Sequence, residues 1–576
     1  MTPARDDGGE SRLRSRARSV FGSLWVQALL IAGLFEQIWR AYFGHAALPK
    51  SAYESTSLLA SALREPAVLA LVLGPCVVLA PFWRRIAWPA LDPRRRIRLA
   101  VLVPAALLTW AVATFGHNHY FDQPYLADRL VLVVLCALVW LHPLFVAPLT
   151  FALLAFSSQT LHPLPGSSWI WVDRRLPFDI LVLFLAYLAV KALCAPRRPW
   201  LFPFMALCLA GGTYWHAALA KMSAGPTPWT WLLDNHTSNL LVSSHLAIGF
   251  AGFLELDTVL ALARMVRPFD GVLNLVTLVI EASGLLLVVS RRLTHGVLLA
   301  LVLLHCGIVF LSGIFFWKWI LVDLALVWLV GRLHRDGALR DLDPESTADA
   351  DDPESSDAPT PHESLRARIL RFAQPRGLYR PATTLAAVLL MLSLQSWSLV
   401  VPFAWFDSRV VNHFVIYGID DERQRHRLDG RLFAPYDILL QQSRYFYTTG
   451  RPLLADTFGT CYDFDLTRAL DSASADDLPA LRATSARVWR QPYLTRRFGN
   501  FLEQSVRSMQ GRDGALYGWW ASLAPPFHFR STAGPGAWNG TPRLAAVEVV
   551  LEELFCDGAR VVPVHRRQVL FVPLED

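Results

Sequence analysis

Apolar residues run through this chain in long unbroken stretches, separated by short joints rich in arginine, proline or glycine. A stretch of about 18 or more apolar residues predicts a membrane-crossing helix, because a helix rises about 1.5 Å per residue across a hydrocarbon core of about 30 Å. The pattern predicts spans at 20–43, 66–83, 98–116, 126–142, 144–161, 177–195, 202–222, 271–290, 294–313, 315–332 and 382–403. The fourth and fifth meet at Leu141-His142-Pro143 and are equally consistent with one broken helix pair. Segment 239–256 is apolar too, but is read as a re-entrant or surface helix that does not cross.

Arginine placement sets the expected topology, since cytoplasmic loops of membrane proteins collect positive charge. Arg84, Arg85 and Arg94 to Arg98 mark one inside loop, Arg197 and Arg198 a second, and Arg291, Arg292 and Arg332 to Arg335 two more. With the amino terminus inside, these clusters put Lys221 and everything after residue 403 on the outer side.

Beyond the spans the pattern changes. Residues 341–362 are acidic, rich in Pro and Ser and free of large apolar residues, the signature of a disordered linker. After 403, short mixed runs at 410–416, 547–551 and 569–572 read as strands bounded by turn residues, and 482–509 reads as helix. The expected architecture is therefore a polytopic α-helical membrane protein of about eleven spans with a C-terminal extracytoplasmic α+β, β-rich domain. Its parts are a basic cytoplasmic amino terminus (1–19), a helical bundle (20–335), an acidic linker and juxtamembrane segment (336–381), a last span (382–403) and the outer domain (404–576).

Composition supports this division. Hydrophobic residues make up 53% of the chain, which a water-soluble protein of 576 residues would struggle to bury. The net charge of +7 is loop charge that sets topology, and no arginine cluster sits among exposed stacking aromatics, so nucleic acid is not an expected partner. The basic start is not a cleavable signal peptide, because the apolar run behind it is too long and carries Glu36 and Arg40. Cys461 and Cys556 are the two cysteines of the outer domain, where an oxidising compartment would allow a bridge between them.

Chemistry is sought among ionisable groups in or beside the spans, which are costly there and so candidates for function. The chain has only four lysines among 54 basic residues, and one of them, Lys221, ends the seventh span just before Gly225, Pro226 and Pro228. A desolvated ammonium can shed its proton and a guanidinium cannot, so Lys221 is either a base or an anchor reaching for the interface. Glu281 lies ten residues before Arg291, and His305 eleven after Thr294, so both sit at about 15 Å from one tight turn and can meet. Either they lock a helix hairpin or they handle a proton. Glu36 and Arg40 are spaced to pair on one face, whereas Lys318 and Asp323, five apart, point to different partners. His117 and His119 lack an identifiable third metal ligand, and no metal site is expected. Tyr214, Ala217 and Ala218 share the face of Lys221, and Asp234, Asn235 and His236 follow in a loop able to line the same mouth.

The stretches TYWHAALAKM followed by Trp229, then VIEASGLLLVVSRR, then LLHCGIVFLSGIFFWKWILVDL, resemble in order the horizontally transferred transmembrane (HTTM) domain related to vitamin K-dependent gamma-carboxylase. The stretch FGHNHYFDQPYLADRLVLVV is similar to that family's early asparagine/aspartate turn. The resemblance covers roughly 20–335. It implies an outer-face site in which a reduced quinone and oxygen generate a strong base. Lys221 would be the catalytic base, with Glu281 and His305 as further catalytic residues and Tyr214 and Trp229 against the quinone. A bacterial protein of the inner (cytoplasmic) membrane is expected, with the bilayer as its surroundings. Two functions lead on the sequence alone: a quinol-dependent, carboxylase-like enzyme, or a non-catalytic scaffold whose outer domain binds an envelope peptide or protein. A transporter is the weaker third, with no convincing inverted repeat and no paired broken helices beyond residues 225–255.

Overall fold

Where the sequence runs apolar, the chain is helical. The computed structural model describes residues 24–92, 95–115, 118–163, 170–194, 201–335, 390–391, 404–433, 436, 452–455, 459–485, 487–488, 492–512, 519–526, 538 and 540–574. The basic amino terminus, the acidic linker, His117 and all of the last expected span except Leu390 and Met391 lie outside the described residues.

The bundle contains α1 (Leu24–Ala46), α2 (Pro66–Leu79), α3 (Arg96–Ala113), α4 (Leu126–Leu141), α5 (Val146–Ser158) and α6 (Ile170–Cys194). It continues with α7 (Leu201–Met222), α8 (Asn239–Ile248), α9 (Leu256–Val266), α10 (Asp270–Ala282), α11 (Arg291–Ser312) and α12 (Trp317–Arg335). Among the described residues, six segments are long and apolar enough to cross a membrane: Pro66–Ile86, Arg96–Ala113, Pro143–Leu161, Arg174–Cys194, Leu256–Val288 and Arg292–Ser312. Many large apolar side chains, among them Val77, Leu130, Leu303 and Phe310, are exposed on the outside of this bundle. Apolar surface on that scale suits contact with lipid and not water, and marks a multi-pass membrane protein. Helix α8 spans ten residues, about 15 Å, and is too short to cross.

Helix α6 is the bundle's axis, packed against α1, α3, α5, α7 and α12. It begins before Pro177, where the sequence pattern started it, and so carries a buried Arg175–Asp179 pair at 3.4 Å within the same helix. Helix α7 meets the 3-10 segment Ser283–Val288, which continues α10, at two glycines. A Cβ on Gly211 would lie 2.7 Å from the Gly284 carbonyl, and one on Gly284 would lie 2.8 Å from the Gly211 carbonyl. Only hydrogen on both Cα atoms allows the two backbones to come this close.

After residue 404 the core is a four-stranded antiparallel sheet in which β1 (Val410–Asp420) lies between β2 (Arg425–Leu428) and β3 (Leu544–Cys556), with β4 (Val561–Pro573) beyond β3. Registers such as Val415↔Val550 and Val547↔Val572 bring β-branched residues together. The region expected as one helix over 482–509 is instead two, α13 (Leu478–Ser485) and α14 (Pro492–Gln510), with the short strand Arg487–Val488 between them. Phe498, Phe501, Leu502, Val506 and Met509 recur every three to four residues along α14 and bury their face on Val547, Val549 and Val572 of the sheet. Cys461 and Cys556 are both buried thiols in separate apolar clusters, so the bridge allowed by the sequence does not form.

The C-terminal domain is seated on the end of the bundle where α7 finishes. Asn235 accepts a bond from the Asp407 backbone N–H (2.7 Å) and donates to the Asp407 carboxylate (3.1 Å), while Asn239 donates to the Asp407 carbonyl (2.9 Å). On the other side of the seam, Ser508 and Arg512 both bond Asp122 at 2.6 Å.

Candidate functional site

Lys221 occupies the last turn of α7, where the C-terminal end of the helix dipole favours a cation. Its side chain is 11% exposed and turns inward, and Nζ donates to both carboxylate oxygens of Glu281, at 2.8 and 2.7 Å. Lys221 is thus no snorkelling anchor. The amine also sits over the indole of Trp231, 5.4 Å from the ring centroid. Trp231 is held by its Nε1–H, which donates to the Trp405 carbonyl of the C-terminal domain at 2.8 Å.

The aromatic group beside the amine is therefore Trp231. Trp229, the residue singled out in the sequence, starts the same short helix but is 60% exposed. Two residues along a helix turn the side chain by more than half a revolution, so one indole faces inward and the other outward.

Glu281 and His305 do not form the expected pair. Both are buried, but each turns to α7: Glu281 to Lys221, and His305 to Tyr214. Equal depth in a helix hairpin lets two residues meet only if both also point into the hairpin seam. Here the third helix, α7, lies closer to both.

Tyr214 joins a second polar cluster. Its hydroxyl donates to Asp323 Oδ2 at 2.6 Å and lies 3.0 Å from His305 Nε2. Asp323 comes from α12, which folds back on α11 through the Gly313 turn and so brings His305 and Asp323 to a similar level. Trp319 packs edge-on against both Tyr214 and His305, with ring centroids 5.7 Å away in each case. Phe316 covers His305 at 5.2 Å. Lys318 turns elsewhere, over the ring of Trp317 at 4.6 Å. Its separation from Asp323 agrees with their spacing of five. Asp323 was not chosen as a site residue from the sequence. The available signal was a lone carboxylate inside an apolar helix, one turn beyond Trp319.

The loop after α7 has a different role from the one its spacing suggested. Instead of lining a mouth, Asn235 grips Asp407, and His236 bridges Asp270 (3.5 Å) and Asp471 (3.3 Å). These two carboxylates, Asp270 first, raise His236 to about 9. Burial pushes the Asp407 carboxyl up to about 7, against the bonds it accepts from Asn235 and Trp405.

Across the seam a cleft of about 450 Å³ is lined by Glu54, His119, Tyr120, Asp122, Arg507 and Arg512, well away in sequence from Lys221. Burial, with Arg512 nearby, lowers His119 to about 3 and keeps it neutral. Among the described residues no group of three or more His, Cys, Asp or Glu side chains is placed to hold a metal ion. Glu36 and Arg40 pair at 2.9 Å along α1, as their spacing of four allows, with the guanidinium 71% exposed.

In comparisons with known protein families, with curated proteins and with solved structures, nothing matches this chain.

Proposed function

We infer that the chain is a bacterial multi-pass protein of the inner (cytoplasmic) membrane, of the HTTM type related to vitamin K-dependent gamma-carboxylase. Its amino terminus is cytoplasmic, its spans number about eleven and its C-terminal domain is extracytoplasmic. In this reading it is a quinol-dependent enzyme whose base is the Lys221 amine. The contact that carries the reading is Lys221 Nζ against both oxygens of Glu281, inside an apolar bundle and under the Trp231 ring.

In such surroundings a charge-separated carboxylate–ammonium pair loses much of its advantage over the neutral pair, because the solvation that favours ions is gone. A proton passing from Lys221 to Glu281 leaves the amine lone pair free to accept one from an acidic hydroxyl. The ammonium so formed then faces the new oxyanion and stabilises it. A reduced quinone would supply that hydroxyl, and after reaction with oxygen the stronger base. The residues present fit its headgroup: an amine as proton acceptor, and a flat indole held in place by its own hydrogen bond.

The test compares wild type with Lys221→Arg in nanodiscs containing a menaquinol. Arginine keeps the charge and the pairing with Glu281 but cannot act as a base. Oxygen-dependent quinol consumption should be lost while thermal stability is kept. Activity retained in the arginine variant would end the proposal.

A second reading is favoured by the same contact seen differently. Both oxygens of Glu281 already hold the amine, as they would in a purely structural pair, and the outer domain is bonded to the loop beside it. The protein would then be a membrane scaffold whose outer domain binds an envelope peptide or protein. Partner capture that survives changes at Lys221 but is lost on removing 404–576 would favour this alternative.

A further inference from the structure

Tyr214, His305 and Asp323 come from three different helices and are respectively 3%, 6% and 0% exposed. Burying three polar side chains together in an apolar bundle is costly unless their bonds are satisfied. They are satisfied only in the middle. Tyr214 sits between its partners, while His305 Nδ1 and Asp323 Oδ1, at the two ends, are buried with no hydrogen-bond partner. A set selected only for stability would not leave both ends open.

With Asp323 ionised, the bonds also fix where the protons are. A tyrosine hydroxyl has one proton, and at 2.6 Å from a carboxylate it donates there. Its oxygen must then accept from His305 Nε2, which makes Nε2 the protonated ring nitrogen and Nδ1 a bare acceptor. The cluster is thus an ordered chain, from an open base at Nδ1 to a carboxylate at Asp323.

We propose that Tyr214, His305 and Asp323 form a second proton site, a relay in which a proton taken up at His305 Nδ1 is stored on Asp323. The donor is a bound hydroxylic compound or water. As the Nδ1–H bond forms, the Nε2–H bond breaks and its proton passes to the Tyr214 oxygen. The Tyr214 proton passes to Asp323 Oδ2. The product is the opposite histidine tautomer, an intact tyrosine and a neutral carboxylic acid, with the cluster gaining one proton and one unit of positive charge. No side chain need move, since every acceptor already lies within bonding distance of its donor. The exchange leaves the imidazole neutral throughout, which avoids an imidazolium in apolar surroundings. Trp319 and Phe316, packed on the ring, hold the imidazole in register.

The relay goes beyond the role proposed for Lys221 and does not require it. The test uses the full-length chain in micelles, titrated over pH without any substrate. Nitrogen-15 NMR of labelled histidine reports the tautomer, and infrared spectroscopy of carbon-13-labelled aspartate reports the carboxylic acid. The expected result is that His305 changes from the Nε2–H to the Nδ1–H form in step with the appearance of a protonated aspartate band. Asp323→Asn should abolish that band, and Tyr214→Phe should uncouple it from the histidine. A His305 tautomer that stays fixed over the titration in the wild type overturns the relay, whether or not either variant folds. So does persistence in Asp323→Asn of the aspartate band that moves in step with His305, or continued coupling of that band to the histidine in Tyr214→Phe. Bands from other buried aspartates such as Asp407 remain in both variants and are subtracted. Because neither readout needs quinol turnover, failure here leaves the Lys221 proposal standing, and the reverse also holds.

Discussion

Lys221 and Glu281, sixty residues apart on two helices, are joined by two hydrogen bonds of 2.8 and 2.7 Å between one amine and both oxygens of one carboxylate. Each side chain is 11% exposed, so neither can turn to bulk water if the other is removed.

Removing one partner should therefore cost far more than removing both. Lys221→Met or Glu281→Leu alone leaves a buried unpaired charge, worth about 3–5 kcal/mol of lost stability. The double variant should recover most of that. Thermal unfolding of the four proteins in one detergent gives the coupling, and additive losses would show the pair to be energetically idle.

The glycine crossing makes a separate demand. Gly211→Ala or Gly284→Ala places a methyl 2.7–2.8 Å from the partner's carbonyl oxygen, so the helices must part. We expect a loss of about 1–3 kcal/mol from overpacking. Gly296, inside α11 with nothing within 4 Å of its would-be Cβ, is the control. Alanine there should be neutral or stabilising by about 0.5–1 kcal/mol.

The seam between bundle and C-terminal domain should weaken as pH rises, for two reasons of the same sign. His236 is raised from 6.5 to about 9 by Asp270 and Asp471, so its contribution is complete below pH 6.5 and is lost as pH climbs through about 9. Asp407 is raised from 3.8 to about 7 by burial, so the native state is increasingly penalised for ionising it between those values. Amide protection at 406–412 and 464–472, taken relative to the intrinsic base-catalysed rate at each pH, should fall from pH 5 to pH 9. His236→Gln should remove the upper part of that slope, and an unchanged profile in this variant would refute the assignment.

Cysteine chemistry offers a simple check on the C-terminal domain. Cys461 and Cys556 are buried thiols with no disulfide between them, so both should resist maleimide in the native protein and react after denaturation. A reductant should leave the melting temperature unchanged. A drop on reduction would mean that the two are bridged.

The sequence by itself determined which stretches are helical, because a run of apolar residues long enough to cross a bilayer leaves the backbone little choice but to satisfy itself. It also marked Lys221, Glu281, His305 and Tyr214, since ionisable and hydrogen-bonding groups stand out against an apolar background. Val410, Val547 and Val569 identified the sheet for the same local reason: β-branched residues between turn residues favour extended chain. What tertiary structure decided is which of these groups meet. Sequence spacing gives distance from a turn but not the tilt and rotation of one helix against another, so Glu281 and His305, equally far from their turn, bond Lys221 and Tyr214, two turns apart on one face of α7. Asp323 emerged only when the Gly313 turn laid α12 beside α11, and Trp231 displaced Trp229 because the turn after α7 sets which indole faces inward. The pairing of Asn235 with Asp407 spans 172 residues, and no local pattern encodes a contact whose two halves are brought together only by the packing of everything between them.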